Sequence, residues 1–222
     1  MIIVFEGLDF SGKTTQIKLF KQYLESKGSN VVTLKEPDDN IFPELKFVIS
    51  KKKLQPQTEL FLFLAMHVEL TRKIYELFHE SDINNIPDVI IIDRFVYSTL
   101  TYQGVGRGIG CKLIKMLTDH FVKINVGDKT FKIEPDLVFY IDIPPEEVLK
   151  RRNELKKEKS NFDMESIEFF TKVRDTYLKL VKQHNFVVLD GLQDIETIHQ
   201  QIVEHYKRMS NILYPNSGIV EC

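Results

Sequence analysis

Apolar residues in this chain fall into brief runs separated by longer amphipathic stretches. Residues 2–6, 31–35, 88–93, 137–142 and 186–190 are short and rich in Val and Ile, the pattern of strands buried on both faces. Between them, helix-period spacing covers residues 14–27, 57–80, 96–124, 145–184 and 194–210. Gly28, after Lys27, is placed to stop the first helix. Strand alternating with helix predicts an α/β fold, a five-stranded parallel sheet with helices on both faces. No internal repeat or low-complexity linker divides it, so one domain over 1–210 is expected, followed by an aperiodic tail over 211–222.

Three segments interrupt the alternation. Glu36-Pro37-Asp38-Asp39-Asn40 is a polar loop after the second strand, and residues 125–136 read as a loop or small hairpin. Residues 150–159 hold six basic side chains in ten, which in isolation read as a solvated helix face.

Composition narrows the class. The chain has 222 residues, with 30 Lys and Arg against 32 Asp and Glu, a net charge of −2. Sixteen Phe and eight Tyr supply a sizeable core, which excludes disordered and collagenous classes. A sequence pI of about 6.3 gives no global field for a nucleic acid polymer or an anionic membrane. Cys111 and Cys222 are too few and too far apart for a disulfide framework or a metal cluster, which favours a reducing compartment. Met1 to Phe5 enter a glycine loop without a basic leader, and no uncharged run reaches the roughly 18 residues of a membrane span. A cytoplasmic protein that avoids membranes is expected.

That glycine loop carries the first chemistry. Gly7-Leu8-Asp9-Phe10-Ser11-Gly12-Lys13-Thr14 fits GxxxxGK(S/T), after a strand and before a helix. Its glycines let several backbone N–H groups converge on one anion, and the helix adds its positive end. Lys13 is placed for the β- and γ-phosphates, and Thr14, followed by Thr15, for Mg²⁺. ATP and Mg²⁺ are therefore expected, with residues Gly7 to Thr15 as the ATP site. The run Val89-Ile90-Ile91-Ile92-Asp93 ends on a second candidate metal ligand, Asp93. Arg94 follows it, a cation suited to bridging phosphates rather than to activating water. No NKxD stretch supports a GTPase.

Four stretches make a resemblance specific: Phe5-Glu6-Gly7-Leu8-Asp9, Asp93-Arg94-Phe95, Tyr102-Gln103-Gly104-Val105-Gly106-Arg107-Gly108, and the strand from Pro135 to Asp142. In this order they resemble the bacterial-type thymidylate kinases, P-loop enzymes that phosphorylate dTMP with ATP. The resemblance implies roles residue by residue. Asp9 would accept from the deoxyribose 3′-OH, Phe63 would stack on thymine, and Arg94 would touch the dTMP phosphate. Thr99 and Gln103 would meet the base edge, and Tyr102 would crowd C2′. Glu36 and Pro37 open the acceptor-side loop, where many bacterial members continue with Gly-Gly-Thr and this chain has Asp38-Asp39-Asn40. His67 stands at the usual base-contacting arginine, and Lys46 at the usual phosphate-holding arginine.

The basic run falls where the family carries a lid, about 150–160, so Arg151 and Arg152 are the expected catalytic cations beside Lys13 and Arg94. Family members pair through apolar helices such as Phe61-Leu62-Phe63-Leu64-Ala65, so a homodimer is expected. Two other readings remain at this point: a deoxynucleoside kinase with Glu36 as general base, and a non-catalytic P-loop nucleotide switch.

Overall fold

Burial on both faces is what the apolar runs demand, and every residue of Ile2–Gly7 (β1) is buried. The computed structural model describes residues 1–36, 43–79, 82, 85–154, 162 and 165–213. After β1 come Lys13–Ser26 (α1), Val31–Lys35 (β2), Pro43–Lys51 (α2), Pro56–His79 (α3) and Val89–Asp93 (β3). Val96–Thr99 (α4) runs into a π-helical turn, Leu100–Gly106, and Cys111–Phe121 forms α5. A hairpin of Ile124–Val126 (β4) and Lys129–Phe131 (β5) precedes Leu137–Asp142 (β6). Pro145–Glu154 (α6), Ile167–His184 (α7), Val187–Asp190 (β7) and Ile195–Leu213 (α8) complete the order.

The five long strands pair in parallel in the order β2-β3-β1-β6-β7, as expected. Register sets Phe5 against Asp93 and Lys35 against Asp93, so the carboxyl ends of β1, β2 and β3 finish level. Alternation along β1 divides the core. Ile3 and Phe5 pack with Ile17, Phe20 and Ile202 from α1 and α8. Ile2 and Val4 belong to the opposite layer, with Leu64 of α3, Ile114 of α5 and Phe170 of α7.

Local chemistry overrides periodicity in three places. The expected helix over 96–124 is broken, because four glycines fall between Gly104 and Gly110, and Gly108 and Gly110 take φ of 76° and 102°. The expected helix over 145–184 is two helices, α6 ending at Glu154 and α7 starting at Ile167 behind an N-cap in which Ser166 accepts from Phe169 N–H. Helix α2 follows the polar loop as an element too short to stand out by period. Among the described residues no helix is long and apolar enough to cross a membrane.

Candidate active site

In an open parallel sheet, ligands bind beyond the strand carboxyl ends, where the strand order reverses. Here that point is β1, flanked by β3 and β6. Gly7 has φ of 148°, and a Cβ there would stand 2.6 Å from the Ile141 carbonyl oxygen, so glycine alone lets β1 turn against β6. Leu8 is fully buried and fixes the loop from beneath, while residues 9–15 face a cavity of about 630 Å³. Lys13 is buried, and its Nζ donates to the carbonyls of Leu8 (2.8 Å) and Gly7 (3.1 Å). Burial, reinforced by the charge of Arg94, lowers the Lys13 ammonium to about 8.

Arg94 stands at the junction of loop and acceptor space. Its φ of 73° is a left-handed conformation, held because its N–H donates to Phe5 O at 3.0 Å. Nη2 donates to Asp9 Oδ1 at 2.8 Å, and the guanidinium lies 5.0 Å from the centroid of the Tyr102 ring. The Tyr102 hydroxyl donates to Asp9 Oδ2 at 2.9 Å. Burial would raise the Asp9 carboxyl, but Arg94, Lys13 and this hydroxyl outweigh it and hold Asp9 below the usual range. Behind Arg94, Nη1 donates to Ser98 Oγ (3.1 Å), which donates to Glu6 Oε2 (2.6 Å). Glu6 is wholly buried and also accepts from Phe95 N–H and the Tyr177 hydroxyl. Burial raises its carboxyl. Sequence reasoning gave Glu6, Ser98 and Tyr177 no role. The available signal was Glu6 itself, an acid inside an otherwise apolar strand.

The acceptor half of the cavity brings Phe63, His67, Thr99, Tyr102, Gln103 and Glu36 together. Phe63 meets Phe162 edge to face at 6.0 Å, so Phe162, another unassigned residue, closes this wall. Gln103 is buried and donates to Glu59 Oε1 at 2.8 Å. His67 is buried, with Nε2 at 2.8 Å from Thr99 Oγ1 and Nδ1 in charge contact with a Glu36 carboxylate oxygen but without a hydrogen bond of its own. Arg72 is exposed and ion-paired with Glu69 and Glu76, away from the cavity. Pro37, the side chain of Lys46, and lid residues Lys156, Lys157 and Lys159 lie outside the described residues.

Arg151 and Arg152 stand on α6, outside the cavity lining. Arg151 donates to Phe10 O (3.1 Å), Gly191 O (2.8 Å) and Glu147 (2.8 Å), so it braces the phosphate loop from behind. Arg152 reaches the Glu165 carbonyl at the foot of α7. For Mg²⁺ the donor set fits. Asp93 Oδ1 is buried without a hydrogen-bond partner, and Thr14 is exposed at the start of α1. Mg²⁺ keeps waters and phosphate oxygens as ligands, so two protein oxygens suffice.

An anion loop after the first strand of a β2-β3-β1-β6-β7 sheet, with an arginine linking it to an aromatic-walled acceptor cavity, defines a P-loop nucleotide phosphotransferase. The sequence model of the family Thymidylate kinase matches residues 5–202. A thymidylate kinase of a Thermoanaerobacter species is 36% identical over 212 residues, covering 93% of this chain and 97% of that protein. That of Fervidobacterium nodosum is 34% identical over 206 residues, covering 92% and 97%. The crystal structure of thymidylate kinase from Ehrlichia chaffeensis superposes with a TM-score of 0.67 at 31% identity, covering 93% of this chain and 98% of that one. The chain belongs to the thymidylate kinase family.

Proposed function

We propose that this protein transfers the γ-phosphoryl group of ATP to dTMP, giving ADP and dTDP, as a cytoplasmic, Mg²⁺-dependent homodimer. One observation carries the reading: a single cavity runs from the phosphate loop to the Phe63 wall, with Arg94 between the two halves. The acceptor phosphate oxygen is already an anionic nucleophile, so the site needs no strong base, only alignment and neutralised charge. Lys13 binds the donor phosphates, Arg94 bridges donor and acceptor, and Thr14 and Asp93 hold the metal, which offsets charge on the phosphates. Asp9 takes the sugar hydroxyl and Tyr102 crowds C2′. Arg151 and Arg152 serve as lid cations, turning from loop and helix carbonyls toward phosphate when donor binds.

A deoxynucleoside kinase is not favoured. It needs a free general base, and the candidate, Glu36, is buried with its carboxylate against His67. A non-catalytic switch would leave Arg94, Asp9 and the aromatic wall without use. The test is ADP release from ATP with dTMP, with thymidine, or with no acceptor. Turnover is expected with dTMP alone, and turnover that needs thymidine or no acceptor would contradict the reading. Lys13→Ala is expected to abolish transfer while the protein stays folded, and near-normal turnover in that variant would sink it.

A further inference from the structure

Arg107 follows the π-helical turn and stands behind the acceptor half of the cavity, touching its wall without lining it. Its Nε donates to both carboxylate oxygens of Glu59 on α3, at 3.0 and 3.3 Å, and Nη1 donates to Glu165 Oε1 at 2.5 Å. The same guanidinium lies over the Phe162 ring, 5.4 Å from its centroid, and over the Phe169 ring at 5.0 Å. Side chains from α3, from α7 and from the residues before α7 therefore meet on one planar cation.

Two of these contacts lead to the cavity. Phe162 is part of its lining, edge to face with Phe63 at 6.0 Å and with Tyr102 at 6.2 Å. Both of those rings line the cavity themselves, so Arg107 ties the Phe162 ring to protein outside it. Gln103, also in the lining, donates to Glu59 Oε1 at 2.8 Å, the oxygen that accepts from Arg107 Nε at 3.0 Å. Glu59 is buried, and a buried acid needs a compensating partner, which Arg107 supplies. Burial would lower the Arg107 guanidinium, but its hydrogen bonds to Glu59 and Glu165 outweigh this and raise it. Lysine could match the charge alone. Only a flat fork of N–H donors can hold two carboxylates while lying against two rings.

We propose that Arg107 is a positioning residue for the acceptor: it holds Phe162 in the cavity wall and, through Glu59, fixes the Gln103 side chain, so that this half of the site is built before a ligand enters. The proposal rests on the reading that the cavity takes dTMP. Arg107 itself touches neither substrate, and its effect is on acceptor binding, because a wall already in place need not be ordered on binding.

The first test measures KM for dTMP and for ATP in the unaltered enzyme, in Arg107→Lys, and in Arg107→Gln combined with Glu59→Gln. The combined variant leaves no buried carboxylate without its cation. In both variants the dTMP KM should rise about tenfold or more, with the ATP KM unmoved and kcat lowered less than the KM rises. If Arg107 only neutralises Glu59, lysine replaces it, so an unaltered dTMP KM in Arg107→Lys would overturn the proposal. The second test needs no substrate. The chain has no tryptophan, so Phe162→Trp places a single indole in the wall. Acrylamide quenching of that indole in the ligand-free protein should rise about twofold or more when Arg107→Lys is added. Equal quenching with and without Arg107→Lys would show that Arg107 does not hold the wall, and the proposal would fail there. Absence of dTMP turnover in the unaltered enzyme is a different failure: it defeats the acceptor reading first, whatever the quenching shows, and removes the acceptor role proposed for Arg107 with it.

Discussion

Lys13 is a cation that the fold buries beside the phosphate loop and Arg94 one that it half-buries there, and a charge withdrawn from water is unfavourable unless neighbours compensate it. Arg94 is compensated by Asp9, so its charge is secure. Lys13 has two carbonyls and a hydroxyl, a weaker set that leaves its ammonium at about 8. Between about 8 and the usual 10.5 the folded protein has released a proton that a bound polyphosphate would hold in place. The sign follows: ATP affinity is full below about 8 and declines above it, by up to about tenfold per pH unit, with proton uptake on binding. Calorimetry in two buffers of different ionisation enthalpy measures both, and an affinity flat across that range would contradict the argument. Arg94 is aimed through Ser98 and Glu6. Ser98→Ala removes a charge-assisted hydrogen bond of about 1.5–3 kcal/mol. The expected result is a kcat lower by about tenfold or more with little change in the ATP KM. An unchanged kcat would show that Asp9 and Tyr102 position Arg94 without it.

At the scale of elements, the π-helical turn sets how closely α7 approaches the site. A Cβ on Gly106 would stand 2.6 Å from the Phe169 ring and 3.3 Å from Val173, so α7 packs directly on bare backbone. Arg107 then joins Glu59 of α3 to Glu165 before α7, at 3.0 and 2.5 Å, and lies over the Phe169 ring. Gly106→Ala must move Phe169, at a cost of about 1–3 kcal/mol. The midpoint of thermal unfolding should fall, and the acceptor KM should rise because Tyr102 and Gln103 share the turn. A midpoint equal to that of the unaltered protein would show that Phe169 yields freely. This turn also marks where the sequence stopped being legible. The five strands could be read because a buried strand is a dense Val and Ile run, and the phosphate loop because its glycines and lysine have fixed spacing. Period alone could not see the break at 100–110, since Tyr102, Val105 and Ile109 still fall at helix-like intervals while the glycines between them follow backbone rules. Ser98, Tyr177 and Phe162 stayed hidden for another reason. Their roles depend on partners far along the chain, and no local pattern marks such a pairing.

On the scale of the whole molecule, the sheet's two layers consume most of the aromatic side chains, and what remains outside is uneven. Phe20, wholly buried among Phe5, Phe139 and Tyr206, shows how thoroughly the α1 layer is filled. Against that, Phe61 on α3 is 62% exposed and Phe47 on α2 is 60% exposed. Helix α3 is apolar on three sides. Leu60 and Leu64 face the core, Phe63 lines the cavity, and Phe61 and Ala65 lie outside both. A helix apolar on more sides than its own chain covers is stable when a further surface covers it. A second copy is the covering surface proposed here, and a stable pair needs about 800 Å² from each partner, more than one side chain supplies. The pairing would therefore spread along α3 rather than rest on Phe61 alone. Sedimentation at micromolar concentration should give a dimer, and Phe61→Glu should shift it toward monomer without loss of fold, because that side chain takes no part in the core. Since Phe63 stands on the same helix two residues on, the monomeric variant should bind dTMP more weakly while holding ATP as before. A monomer in the unaltered protein, or a Phe61→Glu variant that stays fully dimeric, would place the exposed face of α3 outside any such interface.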